Sequence, residues 1–163
     1  MRNKRQLIKE IEKAFDNVCQ PEKITLHVAE AHDDYDYNDE KYKHLDVRGR
    51  WQDVPKEHIE KCQMALNYVD NVGMRYYLPA YMVWYLNKLD SGEIDSDHAL
   101  YALNSYSDNK KMSKYFQEIF SLFTHEQLRA CAHFVKYCAD DESYVTDTDF
   151  AKSIYGLYWE QFS

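Results

Sequence analysis

The sequence predicts an all-α fold, a single compact domain of about seven helices around a central apolar helix at residues 78–90. The 163 residues include only 4 Gly and 3 Pro, against roughly 11 and 8 at average usage, so tight turns and hairpins are scarce. Apolar residues recur with helical spacing, and no segment shows the sustained alternation typical of a β-strand. The hydrophobic share of 45% suffices for a core in a chain of this length, so residues 1–163 are expected to form one domain.

The N-terminal third of the chain predicts two helices followed by a long loop. Apolar positions at helical spacing predict a helix over residues 4–19, which Pro21 ends. Thr25 is a candidate cap for a short helix over residues 26–32. The range 34–50 has few apolar residues and no clear period, so it is expected to be a loop, and loops of that length are often functional.

The middle of the chain predicts the helix at the centre of the fold. A helix over residues 56–69 comes first, and Gly73 is expected to stop it. Pro79 then begins the segment "PAYMVWYLNKL". Because that segment is apolar nearly all round, we expect it to be buried rather than at the surface.

The C-terminal half predicts four further helices. Their expected ranges are 95–106, 113–123, 128–138 and 147–161. Thr124 and Gln127 have the spacing of a capping box ahead of the third of these helices.

The charge balance narrows the classes of partner. A net charge of −8 and a pI near 5.3 argue against a surface that follows nucleic-acid phosphates and against binding to an anionic membrane. The four cysteines lack the close spacing of a disulfide framework, and the longest apolar run, Leu78–Leu86, is about half a bilayer span. We therefore expect a cytoplasmic protein without nucleic-acid or membrane partners, whose acidity suits a basic protein.

The stretch "AHDDYDYNDEKYK" resembles the start of a calcium loop but lacks its decisive residues. Asp34, Asp36 and Asn38 alternate as the first ligands would. The sixth position, which should be Gly, is Asp39, and the twelfth, which should be Glu, is Leu45. The sequence therefore predicts an acidic loop here rather than a specific calcium site.

Histidine pairs give no stronger sign of a metal. His32 and Asp33 resemble the dyad of metal phosphohydrolases, with His27 five residues upstream of His32, but nothing in the sequence places further ligands beside them. His125 and Glu126 would begin a zinc-protease helix, yet Arg129 stands where the second His is required. We therefore predict no catalytic residue, no metal and no cofactor.

Acidic residues concentrate in three stretches that contain no Lys or Arg. Residues 30–40, 89–109 and 139–149 hold six, five and five of the 28 acids, with tyrosines among them. Carboxylates can steer a basic partner and tyrosines can anchor it. The predicted partner-binding residues are Asp33, Asp34, Tyr35, Asp36, Tyr37, Asp39, Glu40, Asp140, Asp141, Glu142 and Tyr144. The alternative is that these loops only solubilise the protein and that Asp is favoured at helix N-termini anyway.

The stretch "MRYYLPAYMVWYL", residues 74–86, resembles the signature of an uncharacterised bacterial family with a "YYLPAYM" motif. The matching features are Ile11, Ala14 and Phe15 in the first helix, Asp33 and Asp34, Trp51, and Tyr77 to Met82. The resemblance covers roughly the first 90 residues. It implies a bacterial source and a helical domain, and no activity is assigned to that family.

Three functions follow as hypotheses. The first is an acidic protein-binding module, most concretely an immunity- or antitoxin-like protein that neutralises a basic toxin by occlusion. The second is an enzyme or small-ligand protein with a pocket lined by Tyr76, Tyr77, Tyr81 and Trp84. The third is an oligomerising structural module, which would form a homo-oligomer.

Overall fold

The computed structural model describes residues 2–91 and 97–163. Within these residues the secondary structure is entirely helical, and one hydrophobic core draws on segments from α1 to the C-terminus. The α-helices are α1 (Lys4–Ala14), α2 (Leu26–Asp33), α3 (Asp39–Lys43), α4 (Lys56–Lys61), α5 (Asn71–Lys88), α6 (His98–Tyr101), α7 (Lys110–Glu118), α8 (His125–Ala139) and α9 (Thr148–Leu157). Short 3₁₀ turns cover Trp51–Asp53, Ala65–Asn67, Leu89–Ser91 and Trp159–Phe162. The all-α, single-domain prediction is confirmed.

Helix α5 is the predicted central helix, but it begins eight residues before Pro79. Asp70 caps it, since its Oδ1 accepts the Gly73 N–H at 2.8 Å. Gly73 therefore lies in the first turn rather than at a stop, and a Cβ there would meet Val69 Cβ at 2.9 Å. Pro79 lies inside the helix and cannot donate to the Arg75 carbonyl. Burial of most of α5 outweighs that local cost. The predicted helix stop at Gly73 and the predicted helix start at Pro79 are therefore both wrong.

Helix α8 forms the second layer, between α1 and α9. The predicted capping box at its start is confirmed, because Thr124 Oγ1 accepts the Gln127 N–H and Gln127 Oε1 accepts the Thr124 N–H. Cys131 and Cys138 are fully buried in its core-facing side, and burial raises the pKa of both thiols.

Several predicted helix boundaries differ from those in the structure. The helix expected over 56–69 ends at Lys61, and Glu30 on α2 accepts the Met64 N–H at 2.9 Å. The expected loop 34–50 contains α3. Asn109 caps α7 four residues before the predicted start at 113.

The predicted helices over 95–106 and 147–161 also differ from α6 and α9. The predicted start of α6 at Asp95 or Ser96 lies outside the described residues, and α6 ends at Tyr101 rather than Tyr106. The last helix is interrupted at Tyr158 (φ −146°) and continues as a 3₁₀ turn. That turn buries Trp159, whose Nε1–H donates to the Leu103 carbonyl at 2.9 Å.

Tyrosine hydroxyls on α5 bind backbone groups of the surrounding segments. Tyr76 donates to the Gly49 carbonyl at 2.8 Å, Tyr77 accepts the Leu26 N–H at 3.1 Å, and Tyr81 donates to the Cys62 carbonyl. Each ring packs in the core while its hydroxyl pairs with a segment that is not helical or is just beginning a helix. These contacts position α2, α4 and the loop after α3 around α5.

None of the described helices is long and apolar enough to cross a membrane.

We expect Tyr81→Phe to lower the free energy of unfolding by about 1–2 kcal/mol, because it removes the hydroxyl donor of the Cys62 carbonyl and leaves that carbonyl only the 3.4 Å hydrogen bond from the Ala65 N–H. Urea denaturation followed by circular dichroism measures this change. The matched control is Tyr37→Phe, which removes a hydroxyl from an exposed ring and should change stability by less than about 0.5 kcal/mol. Equal effects of the two substitutions would contradict the structural role of the Tyr81 hydroxyl.

Candidate functional site

The first acidic stretch folds back on itself after α2. His32 Nε2 lies 2.8 Å from Asp39 Oδ1. The Asp36 carboxylate accepts the Tyr42 hydroxyl and the Asn38 N–H, and these hydrogen bonds lower its pKa. Part of the predicted partner-binding charge is therefore used to shape the loop.

Asp33 and Glu30 also interact with other groups of the protein. Asp33 forms a hydrogen bond with the Tyr68 hydroxyl, which raises the Tyr68 pKa. Burial raises the pKa of Glu30, and the nearby charges of Asp33 and Asp34 add to that effect. Asp34 and Glu40 are the exposed carboxylates of this stretch.

The third acidic stretch makes a similar internal network. Asp140 Oδ1 accepts from Lys136 Nζ at 2.8 Å. Asp141 Oδ2 accepts the hydroxyls of Ser143 and Thr146, each at 2.6 Å. Glu142, between Asp141 and Ser143 in the chain, is exposed.

Asp97 joins the second stretch to the third. Its carboxylate is buried and accepts the Tyr85 hydroxyl at 2.9 Å and the Asp147 N–H at 2.7 Å. Asp147 in turn accepts the Tyr101 hydroxyl at 2.8 Å, which raises the pKa of Tyr101 to about 12. The loop before α9 is thereby fixed against α5 and α6.

The tyrosines of the acidic stretches are strongly exposed. Tyr35, Tyr37 and Tyr144 have relative exposures of 84%, 66% and 99%. Tyr35 (φ 57°) and Tyr144 (φ 64°) also adopt the left-handed backbone conformation, which is rare for a bulky residue. Such conformations cost free energy, and they occur preferentially at functional sites.

A cleft lies between the 66–74 segment, α6 and α7. Its volume is roughly 420 Å³, and its lining includes Leu66, Val69, Tyr101 and Tyr115. Tyr101 and Asn104 of the second acidic stretch reach this cleft, whereas no described residue of the first or third stretch lines it.

Three of the four residues of the predicted tyrosine pocket are buried in the core. Tyr76, Tyr77 and Tyr81 are at most 1% exposed and have bonded hydroxyls, because the helix that carries them is buried on nearly every side. Trp84 is the member of this set that reaches a cleft, of about 390 Å³, which it shares with Trp51. The Trp84 Nε1–H lies 3.3 Å from Glu60 Oε1.

A cluster of titratable side chains that the sequence did not predict joins α2, the loop after α3 and α4. His27 comes from α2, Asp46 from the loop after α3, and His58 from α4. His27 Nδ1 is 2.6 Å from Asp46 Oδ1, and the His27 N–H donates to Asp46 Oδ2 at 3.0 Å. The His27 and His58 rings meet edge to face at a centroid distance of 4.7 Å.

The cluster lies at the boundary between core and solvent. The side chains of His27 and Asp46 are 7% and 5% exposed, whereas His58 is half-buried. Burial lowers the pKa of His58, and the neighbouring His27 lowers it further. Burial also raises the pKa of the adjacent Cys62 thiol to about 12, helped by the charges of Glu30 and Asp46.

Sequence reasoning noted His27 but missed Asp46 and His58. The three residues are separated by 19 and 12 positions, so no short motif joins them. Only the tertiary fold brings them together, from α2, the loop after α3 and α4.

We expect Tyr144→Gly to leave the free energy of unfolding unchanged or to raise it by up to about 1 kcal/mol, because Gly adopts φ 64° without strain. The ring is 99% exposed, so little packing is lost. Tyr115→Gly, at an exposed helical position in α7, is the control and should lower stability by about 1 kcal/mol. Thermal melts compare the two, and a loss at Tyr144 as large as the loss at Tyr115 would contradict backbone strain.

We expect the stabilising effect of Asp141 to depend on pH. Burial acts to raise its pKa, but hydrogen bonds from Ser143 and Thr146 outweigh burial and hold the pKa below the ordinary value. The ionised carboxylate therefore stabilises the fold above the unfolded-state pKa of about 4, and the contribution is lost as the pH falls through the folded-state value.

Asp141→Asn tests this dependence. At pH 7 it should lower the free energy of unfolding by about 0.5–1 kcal/mol after allowance for solvent screening. Denaturation curves at a series of pH values should show the difference from the parent protein shrinking in acid. Glu142→Gln, an exposed neighbour, is the control, and a difference for Asp141→Asn that stays constant from neutral to acid pH would contradict the assignment.

No curated protein and no solved structure matches this chain. A family model does match, over residues 3–163, so the expectation of an uncharacterised domain is confirmed. The chain belongs to a family of unknown function, DUF6714.

Proposed function

We propose that this protein is a small acidic protein-binding module, most concretely an immunity- or antitoxin-like protein that neutralises a basic toxin by occlusion. The observation that carries the proposal is the pair Tyr35 and Tyr144, which are almost fully exposed and held in strained backbone conformations within acidic stretches. Exposed aromatic rings on strained, carboxylate-rich loops suit a surface that gains its packing only when a partner covers it.

The charges divide between two tasks. Asp33, Asp36, Asp39, Asp140 and Asp141 have internal hydrogen-bond partners that shape the loops. The remaining predicted carboxylates, Asp34, Glu40 and Glu142, are exposed. These three would supply the long-range attraction to Lys and Arg on a partner, and they lie next to or near the exposed tyrosine rings along the chain.

The binding mechanism follows from these two groups. Exposed carboxylates accelerate encounter with a positively charged surface, and this effect weakens as salt screens the charges. Tyr35, Tyr37 and Tyr144 would then bury their rings against the partner and supply most of the affinity. Carboxylates paired with cationic side chains around a toxin's active site would block access of its substrate.

The proposed setting is the bacterial cytoplasm. The four cysteines are free thiols, three of them buried, which suits a reducing compartment.

A second candidate function is small-ligand binding at the cleft beside Trp84. The cleft, about 390 Å³ in volume, is lined by two tryptophans, by apolar residues including Val54, Ile59 and Val83, and by polar side chains including Glu12, Lys56 and Lys88. The Trp51 Nε1–H is already donated to the Phe15 carbonyl at 2.9 Å. Such a site would favour a flat ligand with a polar edge, and quenching of tryptophan fluorescence by a ligand panel would detect it. Homo-oligomerisation, the third candidate, is measured by light scattering on a sizing column.

The proposed function is tested with two triple variants of equal charge change. The first is Asp34→Asn, Glu40→Gln and Glu142→Gln, and the matched control, at exposed acids outside the acidic stretches, is Glu12→Gln, Glu126→Gln and Glu160→Gln. Proteins captured by the full chain at low salt are purified and their affinities are measured again at low and high salt. We expect a basic partner whose binding to the parent weakens at least about tenfold in high salt.

The first triple variant should bind that partner more weakly than the control variant does. Tyr35→Ala combined with Tyr144→Ala should weaken binding by at least about tenfold, as expected for anchor residues. For the toxin hypothesis, co-expression of the parent chain should restore growth to cells that express the partner, and the tyrosine variant should not. This function would be excluded if no basic partner were captured. It would also be excluded if neither the first triple variant nor the double tyrosine variant bound the partner more weakly than the parent does.

A further inference from the structure

We infer that His27, Asp46 and His58 form a binding site for one divalent transition-metal ion of the zinc type. Each side chain offers one ligand atom, and the three atoms lie within 4.8 Å of one another. This inference is independent of the proposed partner surface, because none of the three residues belongs to it.

The residue types suit zinc rather than calcium or magnesium. Two imidazole nitrogens and one carboxylate oxygen are ligands that Zn²⁺ and Co²⁺ accept, whereas Ca²⁺ and Mg²⁺ prefer sites made of oxygen. Three protein ligands leave a fourth tetrahedral position for water or another small ligand.

The distances require only small adjustments. Zinc bonds of about 2.0–2.2 Å in a tetrahedron separate the ligand atoms by roughly 3.3 Å. Since all three ligand atoms lie within 4.8 Å of one another, the widest separation would close by at most about 1.5 Å, and His58, the half-buried member, is the side chain expected to move. The 2.6 Å contact between His27 Nδ1 and Asp46 Oδ1 would widen by less than about 1 Å as the ion replaces the shared proton.

The fold supports the site from several directions. The His27 backbone N–H holds Asp46 Oδ2 at 3.0 Å, which orients the carboxylate as an outer hydrogen bond does in metal sites. His27 comes from α2, Asp46 from the loop after α3 and His58 from α4. An ion bound here would cross-link that loop to the helical body.

The ion would also order the segment 34–46, which contains most of the first acidic stretch. Residues 34–46 run from the end of α2, which carries His27, to Asp46. Fixing both ends of this segment reduces its conformational freedom, and a ligand that binds only the folded state stabilises it. Metal binding should therefore raise the melting temperature of the protein.

The experiment uses untagged full-length protein stripped with EDTA and titrated with Zn²⁺ against a chromophoric chelator. We expect one equivalent of Zn²⁺ to bind, with no competition from Mg²⁺ or Ca²⁺. His58→Ala removes a direct ligand and should therefore lower the affinity by more than the roughly 10–100-fold typical of losing an outer hydrogen-bond partner. His44→Ala, at an exposed histidine in the same loop that lies outside the cluster, is the matched control and should bind as the parent does.

Two further measurements keep the result decisive if His58→Ala folds poorly. Asp46→Asn, which preserves side-chain shape, should also weaken Zn²⁺ binding. Co²⁺ bound to the parent protein should give the intense visible absorption of a tetrahedral nitrogen and oxygen site. Absence of stoichiometric Zn²⁺ binding, equal affinities for parent and His58→Ala, or an octahedral Co²⁺ spectrum would overturn the inference.

Discussion

The burial of α5 is the constraint on which the rest of the structure depends. Its side chains are covered by α1, α4, α6 and the intervening turns, and its tyrosines carry hydroxyls that need partners in a dry interior. Those partners are backbone groups of surrounding segments, such as the carbonyls of Gly49 and Cys62. Each pairing satisfies a buried polar atom and also fixes the position of a segment that has little apolar area of its own.

The same principle explains how the charged loops are built. Asp97 is buried because Tyr85 and the Asp147 backbone both donate to it, and Asp141 is held by two hydroxyls and a backbone N–H. Carboxylates with several donors are stable in a partly dry environment, whereas their exposed neighbours stay free for other interactions. The acidic surface is thus a mixture of structural charges and available ones, and the exposed tyrosines stand beside the available ones.

The metal-type cluster and the exposed tyrosines lie in neighbouring parts of the chain. Asp46 is buried in the loop after α3, six residues beyond the first acidic stretch, whereas Tyr35 within that stretch projects into solvent. A link at Asp46 would order the segment that displays Tyr35 and Tyr37. Order imposed before binding reduces the entropy that association must otherwise remove, so the two proposals are physically compatible although each stands on its own residues.

The sequence by itself determined the helical class, the buried centre, the capping box at Thr124 and the acidic, tyrosine-bearing stretches. These features depend on spacing and residue type within one turn or one segment, and such information is local. The tertiary structure decided the rest. Pro79 is tolerated inside α5 because burial outweighs one lost hydrogen bond, and the predicted 56–69 helix ends at Lys61, beyond which Glu30 and Tyr81 bond its backbone from a distance. His27, Asp46 and His58 meet only through the tertiary fold, since contacts between residues far apart in the chain leave no periodic trace in it.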